Sequence, residues 1–276
     1  MNPEQKERVE ALQRMIAKTV AANPAGRNLP LIGGFRYRFL DESVRTSDDI
    51  DYHWSGDLGE KQKELLALFE RKLLPEVRRR LRYECSAGLR TGPDADSPAV
   101  RVVDLAFWQA GSSFGRIEIP VEITRIACAD PVIVRTADGT IYSTVSNGDM
   151  IESKVIAIFN RMYLRHRDLV DVFLFRDQFL PDSNRRLAAK LKALDIPASA
   201  VDQRMDDLRK NEAYHARAVQ EVIDTQLDPA AADQIRDAGD GKMMMEDVLK
   251  VLVSLLPQGS SNHKSKSGKG TGDESA

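Results

Sequence analysis

The chain has 276 residues, with 40 Lys and Arg against 42 Asp and Glu, 42% apolar residues and 6% aromatics. That length suits one large domain or two ordinary ones, and a formal charge of −2 excludes a globally basic nucleic-acid binder while leaving local basic patches open. No apolar run approaches the ~18 residues of a membrane span, the charged start MNPEQKERVEALQ has no secretory pattern, and Cys85 and Cys128 are too few for a disulfide framework or a cysteine metal site, so a cytoplasmic mixed α/β protein is expected.

Val9, Leu12, Met15, Ile16 and Val20 recur at helical spacing over residues 3–22, and Asn23-Pro24-Ala25-Gly26 stops that helix. Leu29–Ile32 reads as a short strand meeting a turn at Gly33-Gly34, followed by a loop and then the alternating strand Asp49–Trp54. A long helix spans 59–82, bent at Pro75 and basic at its far end (Arg78, Arg79, Arg80, Arg82). Residues 81–88, 99–109 and 115–124 read as strands, the first two separated by the loop Gly92–Pro98. Asp138-Gly139 between 132–136 and 140–145 predicts a hairpin, because both residues tolerate positive φ. Ser146 and Asp149 have the spacing of a capping box, opening a helix with Ile151, Val155, Ile158, Phe159 and Met162 on one face. Residues 182–256 are helical in pattern, with breaks near Pro197, Pro229 and Gly239–Gly241, and the Gly/Ser/Lys-rich stretch after Pro257 reads as disordered.

Three segments carry candidate chemistry. In a strand, positions i and i+2 share a face, so Asp49 and Asp51 project together while Ile50 turns into the core. Two carboxylates so close repel unless a cation lies between them, and Mg²⁺ prefers such hard oxygen donors. Gly33-Gly34 at a strand end would let backbone N–H groups approach a triphosphate with no Cβ in the way. On the 115–124 strand, Glu118 and Glu122 share the face opposite Ile117, Ile119, Val121 and Ile123 and offer a third carboxylate. Further on, Lys154 and Arg161 are two helical turns apart, and Asp168 and Asp171 share a face. Lys154 sits in a mostly apolar segment, where an unpaired ammonium is costly and a phosphate or carboxylate partner would relieve the cost.

Gly33-Gly34, then Arg45-x-Ser47-x-Asp49-Ile50-Asp51, a Val-Glu-Ile-Thr-Arg strand ending at Arg125, Lys154-x6-Arg161 and Arg167-Asp168-Leu169-x-Asp171 follow one another in this order. The ordered set resembles the AbiEii/AbiGii toxin family of nucleotidyltransferases, in the DNA polymerase beta superfamily, across residues 30–175. The resemblance implies an α/β (α+β) fold, a minimal nucleotidyltransferase mixed sheet with flanking helices over 1–180 and a helical C-terminal domain over 181–257; composition leaves a disordered tail over 258–276. It implies a nucleoside triphosphate substrate used with Mg²⁺ (or Mn²⁺). Several members are toxins of bacterial toxin–antitoxin or phage-defence pairs, and some modify the acceptor end of tRNA, so tRNA or another RNA and a cognate antitoxin are the implied partners. Residue by residue, Gly33 and Gly34 match the phosphate-cradling turn, with Arg45, Ser47, Lys154 and Arg161 toward the nucleotide. Asp49 and Asp51 match the metal pair, Glu122 (with Glu118 second) the remaining carboxylate, and Asp171 or Asp168 the late acidic residue that helps the acceptor. The chain departs from the pattern where Ile32 and Phe35 flank the double glycine; Arg36, Arg38 and Arg45 are the candidates to compensate.

The expected reaction is attack of an acceptor hydroxyl on the α-phosphorus with pyrophosphate leaving. Two rivals remain: transfer to a protein or small molecule, and a nucleotide-binding regulatory module that kept the fold and lost turnover. Trp54, Trp108, Met243–Met245 and a hydrogen-bonded His53 read as structural.

Overall fold

The computed structural model describes residues 3–91, 99–109 and 115–256; the predicted 92–98 loop and 258–276 tail lie outside them. Seven strands form one mixed sheet in the order β3-β4-β5-β2-β1-β7-β6. They are β1 (Leu31–Ile32), β2 (Ile50–His53), β3 (Glu84–Leu89), β4 (Val100–Trp108), β5 (Ile117–Thr124), β6 (Ile133–Ala137) and β7 (Thr140–Thr144). Strand β1 runs antiparallel to β2 and parallel to β7, and β2 runs parallel to β5, so the short central strands are joined by crossovers. The outer strands pair antiparallel with their neighbours.

Helices α1 (Pro3–Ala21), α2 (Gly33–Leu40), α3 (Leu58–Leu68) and α4 (Leu74–Leu81) precede or interrupt the strands. After β7 the chain is helical: α5 (Asn147–Asn160), α6 (His166–Leu174), α7 (Ser183–Ala193), α8 (Ala198–Lys210), α9 (Glu212–Gln226), α10 (Pro229–Ala238) and α11 (Asp240–Leu255). Among the described residues no helix is long and apolar enough to cross a membrane.

Local chemistry accounts for most boundaries. Val9, Leu12, Ile16 and Val20 of α1 are buried as one stripe, and Ile117, Ile119, Val121 and Ile123 of β5 are buried at period two. Asp138 (φ 47°) and Gly139 (φ 68°) both lie in the left-handed region, as a two-residue hairpin requires. The bend foreseen at Pro75 is a π-helical turn at Phe69–Leu73, set between α3 and α4. Proline lacks an N–H and crowds the carbonyl four residues earlier, and one widened turn absorbs both effects. Ser146 caps α5, its Oγ accepting from the Asp149 N–H at 3.0 Å. Asp149 does not close the reciprocal half of that box. Its buried carboxylate accepts from the N–H groups of Ala129 and Asp130, and from Arg186 and Lys190 of α7. Glu152 takes the same two cations, so α5 and α7 are joined by a buried ionic clamp.

Two features depart from the sequence reading. Gly33-Gly34 does not open into a loop; α2 starts at Gly33 itself. The helix is hard to see in sequence because it is buried nearly all round (Phe35, Arg36, Tyr37, Phe39 and Leu40), which removes the amphipathic period. A further break, at Asn211, separates α8 from α9. Trp54 packs against the sheet core, and Met244 and Met245 are buried among the C-terminal helices. One apolar core joins α1–α4 to the sheet, while a second joins α5 and α6 to α7–α11. Helices α5 and α6 therefore share most of their core with the C-terminal helices, while a third, small cluster joins Met150 of α5 to Ile32 of β1 and Tyr37 of α2.

Candidate active site

The site forms where the turn after β1, the front of β2, the end of β5 and helices α5, α6 and α9 meet. Gly33 has φ +77°, which only glycine adopts freely, so the chain passes from β1 directly into α2. A Cβ built on Gly33 would lie 1.8 Å from Oδ2 of Asp51, and one on Gly34 would lie 2.6 Å from the Arg45 guanidinium and 2.7 Å from Oγ of Ser47. The double glycine therefore presses the backbone against three predicted site residues. The Gly33→Ala variant is expected to lose roughly 1–2 kcal/mol from the left-handed backbone. It should lose activity as well, because Asp51 must move, and thermal melts with rate measurements check both.

The 41–49 segment is fixed from both sides. Thr46 N–H donates to Gln226 O at 2.8 Å, Asp228 N–H to Val44 O at 2.8 Å, and Gln13 Nε2 to Ser47 O at 2.7 Å. Arg45 is buried and grips Asp171 with both arms, Nε to Oδ1 at 2.6 Å and Nη2 to Oδ2 at 3.0 Å. Lys154 of α5 completes this group, with Nζ 2.8 Å from Asp171 and 3.1 Å from Asp168. Arg161 donates to the other oxygen of Asp168. The partner that Lys154 required is thus a carboxylate pair. Asp171 is pulled down to about 2: burial alone would raise it, but Arg45 and Lys154 outweigh burial. Asp171 thus stands between Arg45 and Lys154 and ties the two cations together.

Asp49 and Asp51 do share a face, but their surroundings differ. Asp49 is buried; Ser47 Oγ donates to its Oδ1 at 2.6 Å and Arg167 Nη2 to its Oδ2 at 3.0 Å. Burial opposes its charge, yet Arg167, Ser47 and Lys154 hold the carboxyl below its ordinary range. Asp51 has neither a hydrogen-bond nor an ion-pair partner among the described residues. Its carboxyl is pushed well up, first by burial and then by the charges of Asp49 and Glu122. Glu122 stands beside it because the parallel register of β2 and β5 pairs Asp51 with Glu122.

Glu118 does not join them. It lies four residues away along β5, is 72% exposed and pairs with Arg116 at 3.1 Å. Arg36 and Arg38 also face elsewhere: Arg36 pairs with Asp41 and donates to Asn147, and Arg38 pairs with Glu10 and Asp228. Of the three candidate compensating arginines, Arg45 alone borders the turn. His53 is a structural strand histidine, its Nδ1 accepting from the Ile126 N–H at 3.1 Å. The basic end of α4 is partly balanced locally, by Arg80 with Glu76. Arg167 was missed as a site residue. It lies in an arginine-rich run, and only the docking of α6 on β2 shows that it, rather than Arg165, meets Asp49.

Asp49, Glu122 and Arg167 border a cleft of about 570 Å³, closed on its far side by Ala218, Glu221, Val222, Thr225 and Gln226 of α9. Among the described residues no three carboxylate, imidazole or thiol groups already stand in a metal-binding arrangement, Asp49 being turned to Arg167. The donors nonetheless suit a hard divalent cation: Asp51 is an unpartnered carboxylate facing two more, all with oxygen ligands.

No family model matches the chain, and no curated protein matches it in sequence. Solved structures do match in shape. JHP933 from Helicobacter pylori aligns with a TM-score of 0.55 over 92% of this chain and 93% of its own, at 16% identity. A second H. pylori protein, provisionally named a nucleotidyltransferase, aligns at 0.52 over 92% and 99%, at 18% identity. The chain has a nucleotidyltransferase fold. MenT4, a nucleotidyltransferase toxin from Mycobacterium tuberculosis, aligns at 0.51 over 91% of this chain and 94% of its own, at 13% identity. Because these matches cover nearly all of both chains, the nucleotidyltransferase fold includes the C-terminal helices, and the α9 wall of the cleft belongs to it.

Proposed function

We propose that this protein is a Mg²⁺-dependent nucleotidyltransferase that moves a nucleoside monophosphate from an NTP to an acceptor hydroxyl on RNA, tRNA above all, and acts as the toxin of a toxin–antitoxin or phage-defence pair. One observation carries the reading: Asp51, without a partner, faces Asp49 and Glu122 directly against a glycine turn that has no room for a side chain. Three carboxylates on one face of neighbouring strands are unfavourable on their own account and would become favourable around a divalent cation once Asp49 turned from Arg167. The name of the M. tuberculosis structure, with its near-complete overlap, supports the toxin role.

In this mechanism Asp49, Asp51 and Glu122 would hold the cation, which would supply neutralisation of phosphate charge. The Gly33-Gly34 backbone admits the phosphate tail. Arg45 and Lys154, anchored by Asp171, set a positive field behind the carboxylates, and Arg167 exchanges Asp49 for phosphate as the substrate enters. The acceptor hydroxyl attacks the α-phosphorus and releases its proton to water, the bond to the bridging oxygen breaks, and pyrophosphate departs.

Incubation of the purified protein with Mg²⁺, RNA and NTPs labelled at either the α or the γ position tests this. Label from the α position is expected in RNA, and none from the γ position. Thermal stabilisation by an NTP without pyrophosphate release would indicate a binding module. α-Label in protein rather than RNA would move the acceptor but keep the chemistry.

A further inference from the structure

The chain is poor in aromatics, yet the two that its described residues expose each adjoin residues that line the cleft. Among the described residues the exposed aromatic side chains are Tyr163, at 80%, and Tyr214, at 58%. Tyr163 lies in the connection Arg161–Arg165 between α5 and α6, beside Leu164 and Arg165, which line the cleft. Tyr214, near the start of α9, meets the cleft-lining His166 edge-on, with ring centroids 5.9 Å apart. Leaving two large rings in water forgoes the burial that normally places tyrosine.

Their exposure is not slackness in the chain. Arg204 of α8 donates Nη2 to the carbonyls of Arg161 at 2.7 Å and Met162 at 3.2 Å, and Arg161 is itself paired with Asp168. The backbone under Tyr163 is therefore braced from two sides. His166 is fixed in turn by His215, at 3.0 Å between ring nitrogens, which steadies the surface beneath Tyr214. Arg165, exposed at the cleft beside Tyr163 in the chain, has no side-chain partner among the described residues. Separate rings interleaved with an unneutralised arginine suit unpaired bases and a phosphate backbone. A protein partner calls for a contiguous apolar centre; the one large aliphatic side chain exposed next to Tyr163 among the described residues is Met162.

We propose that this rim seats the single-stranded end of the RNA acceptor, with unpaired bases stacked on Tyr163 and Tyr214 and a backbone phosphate on Arg165, so that the terminal hydroxyl enters the cleft toward Asp49 and Glu122. The direction of entry rests on the nucleotidyl-transfer reading; the binding itself does not. Stacking tolerates any base, so the rim selects an unpaired end and not a sequence.

The test uses the full chain without NTP and a fluorescent RNA hairpin, either blunt or with a short single-stranded 3′ extension, read by anisotropy. The extended hairpin should bind at least about tenfold more tightly. Tyr163→Ala and Tyr214→Ala should each cost about tenfold on it and nothing on the blunt one, while Tyr163→Phe and Tyr214→Phe retain binding. Arg165→Ala should lower the slope of log affinity against log salt by about one. Equal binding of both hairpins, or alanine variants that bind as the wild type does, overturns the proposal. If the wild type ignores both RNAs, the proposal is likewise overturned and the rings belong to a protein-docking face. Normal label transfer with an unchanged KM for RNA in the double alanine variant would remove the rim and keep the reaction. Tyrosine-dependent binding without any transfer would keep the rim and remove the reaction.

Discussion

Asp51→Asn should abolish nucleotide transfer, by at least about a hundredfold, and yet melt at a higher temperature than the wild type in EDTA. Asp49→Asn should abolish transfer equally and melt lower. The opposite signs follow from the partners of the two neighbours. Asp51 faces the charges of Asp49 and Glu122 with no cation in contact, so removing its charge relieves repulsion. Asp49 answers Arg167 at 3.0 Å and Ser47 at 2.6 Å, so its loss strands a largely buried guanidinium. Mg²⁺ should then raise the wild-type melting temperature through mass action and leave both variants unmoved. Melts with and without Mg²⁺, beside a label-transfer assay, measure all three effects. Equal stabilisation of wild type and variants by Mg²⁺ would mean that the cation binds elsewhere.

How far this site is legible in sequence depends on the distance over which each contact acts. Asp49 and Asp51 can be read because strand alternation is local. The same holds for the Ser146 cap and the Asp138-Gly139 hairpin. The choice between Glu118 and Glu122 could not be made, because both have the right parity on β5; a parallel register between strands about seventy residues apart decides it. Lys154 announced its need for a partner through its apolar setting, but a phosphate and a carboxylate would satisfy that need alike. The roles of Asp168 and Asp171 depend on how α6 rolls against α5 and against the loop carrying Arg45. Arg167 was hidden for the same reason. The resemblance singles out only Arg161 as a site residue among the arginines at 161, 165 and 167, and the fold gives them three fates: a pair with Asp168, an exposed rim and a pair with Asp49. Helix α2 escaped because a helix buried all round has no polar face to betray its period.

Asp171→Asn should be the most destabilising single change near the site, by about 3–5 kcal/mol, the range for breaking a buried ion pair from one side. Two cations converge on this one carboxylate, and Arg45 and Asp171 are both buried. The pH dependence gives the sign. Asp171 is depressed from 3.8 to about 2 in the folded chain, so it contributes stability that is complete above the unfolded value and lost as pH falls from about 4 toward 2. Lys154 is raised despite its burial, because Asp171 and Asp168 favour its charge. Its contribution is complete below its ordinary value and is lost as pH rises through the folded one. The Asp171 shift by itself corresponds to only about 2 kcal/mol. The substitution costs more because it also leaves Arg45 and Lys154 crowded together without the charge between them. Unfolding followed from pH 2 to 7 should therefore show the wild type losing stability on the acid side and the variant, already weakened, losing less there. A variant that kept the wild-type melting temperature and acid limb would overturn this anchoring role.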